Sequence, residues 1–87
     1  MKHAGPATLL ALETLLEKLR VIPGLVEKKP GIFYFKSKAY LHFHEDEAGS
    51  FADVRISGDG FERFVVNTCQ QQDALLERLQ LPARSFL

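Results

Sequence analysis

His42 and His44 stand one residue apart in the run Tyr40-Leu41-His42-Phe43-His44. In an extended chain alternate side chains leave the same face, so these two imidazoles project together from Cα atoms about 6.6 Å apart. Neutral imidazoles at that spacing can converge on one transition ion, with a carboxylate from Asp53 or Asp46 as the third ligand. His42, His44 and Asp53 are therefore a candidate set for a divalent metal. The His-x-His pair is short and common, and the same residues also suit an ordinary wet sheet face on which His44 lies near Asp53.

A second constellation is cationic. With the strand registers derived below, Arg55 and Arg63 face each other across neighbouring strands, and directly opposed like charges are unfavourable unless something negative offsets them. A phosphate or carboxylate held by His42, Arg55, Arg63 and the hydroxyl of Tyr40 or Tyr34 would do so. Asp53, placed diagonally, would serve equally well in a network with no ligand. Cys69 falls at a helix start, where backbone amides favour a thiolate, but cysteine also packs there as a small apolar residue. The acidic run Glu45-Asp46-Glu47 lacks the ligand spacing of a calcium loop and reads as a solvated turn. There is no phosphate-cradling glycine loop and no Ser-His-Asp arrangement, so no catalytic residue is assigned.

The elements that must position these groups follow from periodicity. Leu9, Leu12, Leu15, Leu16 and Leu19 recur at helical spacing behind Pro6, which predicts a helix from about Ala7 to Arg20, ended by Pro23-Gly24. Leu25 to Lys29 reads as an edge strand, its lysines and the following Pro30 discouraging further pairing. Strands then follow at Ile32 to Phe35, Ala39 to Asp46, Phe51 to Ser57 and Phe61 to Asn67, separated by turn residues, the strongest being Ser57-Gly58-Asp59-Gly60. A four-residue loop after Asp46 pairs Phe43 with Val54 and Leu41 with Ile56. A three-residue loop pairs Ser57 with Phe61 and hence Val54 with Phe64; another, at Lys36 to Lys38, sets Phe33 and Phe35 beside Leu41 and Ala39. All three loops put the apolar residues on one face. Tyr34, Tyr40, His42, His44, Asp53, Arg55, Arg63 and Val65 are left on the other. Thr68-Cys69-Gln70-Gln71 matches a capping box and predicts a second helix from Cys69 to about Gln80, stopped by Pro82; the tail from Ala83 to Leu87 is loose or folds back.

The chain of 87 residues carries a formal net charge of zero, seven Phe and one Cys. That length predicts a single small α+β domain, a two-layer sandwich of helix, antiparallel meander of four or five strands, and helix. Zero net charge argues against a dedicated nucleic-acid binder, since phosphate binding draws on a basic surplus, though a weak site on a local patch is allowed. A lone cysteine permits neither an internal disulfide nor a multi-cysteine zinc site and suits a reducing compartment. With no signal peptide and no apolar span of membrane length, the expectation is a cytoplasmic protein.

Ile22-Pro23-Gly24-Leu25, Ile32-Phe33-Tyr34-Phe35 and Tyr40-Leu41-His42-Phe43-His44-Glu45-Asp46 together resemble the small luciferase-domain family, whose members carry a Pro-Gly helix end, an aromatic strand and a His-x-His strand before an Asp-containing one. The first half is also similar to the MmcQ/YjbR family, which implies a frataxin-like fold of helix, antiparallel sheet and closing helix. Beyond Gly58 the chain lacks the basic, tryptophan-containing segment of that second family, and with it the implied DNA binding. The leading expectation is a binding or interaction domain that uses the open sheet face, through a protein partner or a second copy. The alternatives are a metal-dependent or anion-handling enzyme with a His-x-His site, and a weak nucleic-acid-binding domain.

Overall fold

The computed structural model describes residues 2–56 and 60–79. The leucine stripe forms two helical pieces, α1 (Pro6–Ala11) and α2 (Glu13–Arg20), where periodicity alone predicted one. The break falls at Leu12, whose ψ of 10° leaves the helical range. Leu12 N–H still donates to Thr8 and Leu16 N–H to Leu12, so hydrogen bonds bridge the break. Arg20 at the end of α2 donates to both Glu13 (2.7 Å) and Glu27 (2.6 Å), fastening the helix to the first long strand.

The sheet is antiparallel, with β2 (Leu25–Lys29), β3 (Ile32–Phe35), β4 (Lys38–Asp46), β5 (Gly49–Val54) and β6 (Glu62–Val65) side by side in chain order. A short strand at the N-terminus, β1 (Lys2–His3), pairs with β4 as well. The helix α3 (Cys69–Arg78) closes the fold. Its capping box is formed: Thr68 Oγ1 accepts from Gln71 N–H and the Gln71 side chain accepts from Thr68 N–H. It stops at Arg78, short of the expected Gln80, because Leu79 turns extended and is itself fully buried. The strongest turn signal, at residues 57–59, and the tail with Pro82 lie outside the described residues.

Leu12, Leu15, Leu16 and Leu19 from the first helical layer and Leu75 from α3 meet Phe33, Leu41, Phe43, Ala52 and Val54 from the strands in one buried cluster. Each large side chain taken fully out of water there stabilises the fold by roughly 1.5–3 kcal/mol. The expected parity holds for Phe33, Leu41, Phe43, Ala52 and Val54, which lie on the helix side. Two registers differ from expectation, each by two residues. Phe43 pairs with Ala52 and Leu41 with Val54, because the β4–β5 turn is only Glu47-Ala48 and Gly49 already belongs to the strand. Ala52 pairs with Phe64 and Asp53 with Arg63. A slip of two preserves faces while moving every row, and a slip of one would have inverted a strand.

The third difference changes a face. The β3–β4 turn is the two-residue Lys36-Ser37, both at positive φ (53° and 67°), a hairpin geometry matched to sheet twist. Phe33 still pairs with Leu41 but Tyr34 pairs with Ala39, so Tyr40 is an extra residue in β4. Such a bulge redirects a side chain. Tyr40 is 8 % exposed and belongs to the core cluster instead of the open face.

Candidate metal centre

β4 supplies His42 and His44, on the face away from the helices. Directly across β4 on its other side, β1 sets His3 opposite His44. Two contacts hold this short strand in place. Ala4 N–H donates to the carbonyl of Phe43 (3.0 Å), and the Glu45 carboxylate accepts the amide of Gly5, the residue that caps the N-terminus of α1. β1 runs along the edge of β4 that β3 leaves free: β3 pairs only as far as His42, and the carbonyl of Gly31 takes the next amide, that of Phe43. Glu45 therefore anchors the N-terminal segment; it is not part of a solvated turn. Its carboxyl is held below the usual range chiefly by the Gly5 amide and then by Thr8.

The result is a cluster of three imidazoles in which one ring nitrogen from each of His3, His42 and His44 lies within 4.8 Å of the others. Ring centroids of His3 and His42 are each 4.6 Å from that of His44. The ring of Phe61 meets His42 edge-on at 4.7 Å and shields that side. The Nδ1 atoms of both His42 and His44 are buried and lack a hydrogen-bond partner. Leaving such a group unsatisfied costs about 1–3 kcal/mol; His44 Nδ1 has the Asp53 carboxylate beside it, and His42 Nδ1 has no such neighbour.

Asp53 lies next to the cluster, in one cross-strand row with His42 and Arg63. It is 6 % exposed, the one buried charged residue among those described. Arg63 grips it with Nε to Oδ1 at 2.8 Å and Nη2 to Oδ2 at 3.0 Å, a two-pronged charge-assisted contact. His44 Nδ1 stands 3.1 Å from Oδ2, at ion-pair distance. The Arg63 bonds keep the Asp53 carboxyl low against the opposing effect of burial. Burial pushes His42 and His44 below the usual imidazole value; the neighbouring imidazoles push the same way, while Asp53 pulls each back. Neutral rings, the form that binds metal, are thus favoured.

Of the candidate metal set, the structure brings His42 and His44 together and sets Asp53 beside them, already engaged by Arg63. The candidate anion set is dispersed. Arg63 opposes Asp53, not Arg55, because of the two-residue shift between β5 and β6; the separate shift between β4 and β5 sets Arg55 level with Tyr40, whose carbonyl accepts the Arg55 amide at 2.8 Å. The Arg55 guanidinium lies 4.6 Å from the ring of Phe61, and its Nε donates to Ala39. Cys69 is exposed at the start of α3. His3 escaped sequence reasoning because a two-residue strand has no periodicity to detect; the only signal was a third histidine in a chain with few.

Ligand nitrogens in a tetrahedral zinc site lie about 3.3 Å apart, given bonds of about 2.0–2.1 Å. The nitrogens here lie within 4.8 Å of one another, so an ion would require side-chain rotation, for which His3 is exposed on its short strand. Three nitrogen ligands leave one position open, the arrangement that lets a zinc ion polarise a bound water or accept a donor from another molecule. No protein-family model, curated protein or solved structure matches the chain.

Proposed function

We propose that this chain is a metal-binding domain whose open sheet face carries a divalent transition ion on His3, His42 and His44. The observation behind this reading is the convergence of three imidazole nitrogens within 4.8 Å, with the buried Nδ1 of His42 lacking a hydrogen-bond partner. Imidazole ligands favour zinc, nickel or copper over magnesium or calcium, which take oxygen. Asp53 acts one step out: beside His44 Nδ1 it orients that ring, as carboxylates commonly do behind metal-bound histidines. Arg63 in turn fixes Asp53 and leaves it a poor direct ligand. The fourth position is open to water or to a donor atom from a partner docked on the sheet.

The test is thermal melting of demetallated protein with zinc, nickel or magnesium. A ligand that binds only the folded state at one hundred times its dissociation constant adds about 2.7 kcal/mol. In a domain this small that raises Tm by roughly 10 °C or more. Zinc and nickel should give the shift and magnesium none, and His3→Ala, His42→Ala and His44→Ala should each abolish it. A melting curve indifferent to zinc and nickel would overturn the reading. A shift that persists in His3→Ala would remove the N-terminal ligand from it.

A further inference from the structure

What the open position of the three-histidine centre can do follows from its surroundings, given the metal-binding reading above, on which this inference rests. His3, His42 and His44 are neutral ligands, and the carboxylate beside them, Asp53, is taken by both prongs of Arg63. A zinc ion held this way keeps its whole double charge. Water bound to it loses a proton near pH 7, against about pH 9 for zinc in water. At neutral pH that raises the hydroxide fraction roughly 50-fold. A less basic hydroxide is also a weaker nucleophile, so the net gain in rate is roughly tenfold. The released proton has a direct way out, since His3 is exposed.

Among the described residues no group at the centre is placed to protonate a leaving group. The imidazoles are spent as ligands, Asp53 is held as the carboxylate by Arg63, and Arg63 stays protonated. The electrophile is thereby limited to one whose leaving group departs as a stable anion. The flanking surface limits it further. Phe61, edge-on to His42, is 42 % exposed, and Val65, in one cross-strand row with Phe51 and His44, is 38 % exposed. These give the face an apolar platform for a flat ring, whereas a substrate with its own carboxylate or phosphate would fill the open position with that group.

We propose that the zinc-loaded centre hydrolyses small uncharged aryl esters. The hydroxide oxygen forms a bond to the carbonyl carbon, the bond from that carbon to the aryl oxygen breaks, and the aryl oxide leaves with the electron pair. One ester and one water give a carboxylate, an aryl oxide and two protons, both taken by solvent. Phe61 and Val65 hold the ring.

The probe is para-nitrophenyl acetate, with zinc loading followed separately by the melting shift. At neutral pH the loaded protein should release para-nitrophenolate roughly tenfold faster than free zinc at the same concentration. Chelation, or His42→Ala, should bring the rate down to that of free imidazole. Ethyl acetate, whose alkoxide needs a proton to leave, should not react, and Val65→Ser should raise KM without changing kcat. A second readout is independent of turnover. Cobalt in place of zinc should change its visible spectrum with a midpoint near pH 7, and on addition of thiocyanate, because both act on an exchangeable fourth ligand. A zinc melting shift with no hydrolysis beyond that of free zinc would overturn the proposal and leave metal binding intact. So would a cobalt spectrum indifferent to pH and thiocyanate. An absent melting shift would overturn both.

Discussion

Asp53 decides the electrostatics of the sheet face. It is buried, carries a charge and is flanked by an arginine and two imidazoles, so its removal exposes what each neighbour owes to it. Asp53→Asn keeps the size and loses the charge. Charge-assisted hydrogen bonds are each worth about 1.5–3 kcal/mol, and the exposure of Arg63 discounts that here, so stability at pH 7 should fall by about 1–2 kcal/mol. The sign with pH follows from the lowered Asp53 pKa. Its contribution is complete above the ordinary carboxylate range and is lost as pH falls through the folded value. Urea melts of wild type and variant should therefore differ at pH 7 and converge at low pH; a constant difference would mean that packing, not charge, was removed. Zinc affinity should drop about 10- to 100-fold, as for other carboxylates behind metal-bound histidines. At this scale the sequence spoke clearly about His42 and His44, whose spacing puts them on one face in any strand register. It misplaced the arginines, because which cation meets which anion depends on register to the single row.

The elements show why. Alternation of apolar and polar residues specifies which face a side chain takes, and that was read correctly for Leu41, Phe43, Ala52 and Val54. Turn length specifies which residues are neighbours. Glu47-Ala48-Gly49-Ser50 contains both the turn and the start of β5, and nothing in its composition separates them. Gly49 adopts φ of 132° and has the Asn67 side chain pressed where a Cβ would stand, so it belongs to a packed strand start. Tyr40 was hidden for a related reason, a bulge being an insertion into a pattern whose period is two. β1 is an element that exists only through its partners: two residues held by pairing to β4 and by Glu45. Glu45→Gln weakens that anchor by removing the charge that accepts the Gly5 amide. Hydrogen exchange at the Ala4 amide, which bonds the Phe43 carbonyl, should speed up while the amides of β4 and β5 stay protected. Zinc should slow that exchange in the wild type by clamping His3. Exchange at Ala4 unchanged by Glu45→Gln would place the anchor elsewhere.

The whole molecule divides its labour between two faces of one sheet. The helices and the leucine-rich core occupy one face, and among the described residues no helix is long and apolar enough to cross a membrane. The other face carries His42, His44 and Asp53, while Glu27 and Glu45 contact the helical layer, and together they should make stability descend in two stages as the metal-free protein is acidified. His42 and His44 have folded pKa values below the ordinary imidazole value of about 6.5. Above that value both folded and unfolded chains are neutral and pH has no effect through them. Below it the unfolded chain takes up protons first, and stability falls until the folded imidazoles titrate too. The second stage belongs to Glu27, Glu45 and Asp53, all lowered by hydrogen bonds from Arg20, the Gly5 amide and Arg63 respectively. Their contribution is complete above about pH 4.5 and is lost as pH falls through their lower folded values. Urea midpoints measured from pH 8 to pH 3 should show both stages, and the double variant His42→Ala, His44→Ala should lose only the first. Zinc should steepen the first stage, because protons and metal compete for the same nitrogens. A wild-type midpoint that stays level between pH 7 and pH 5 would mean that these imidazoles are as well hydrated as in the unfolded chain, and the desolvation that favours metal over proton would then have no basis.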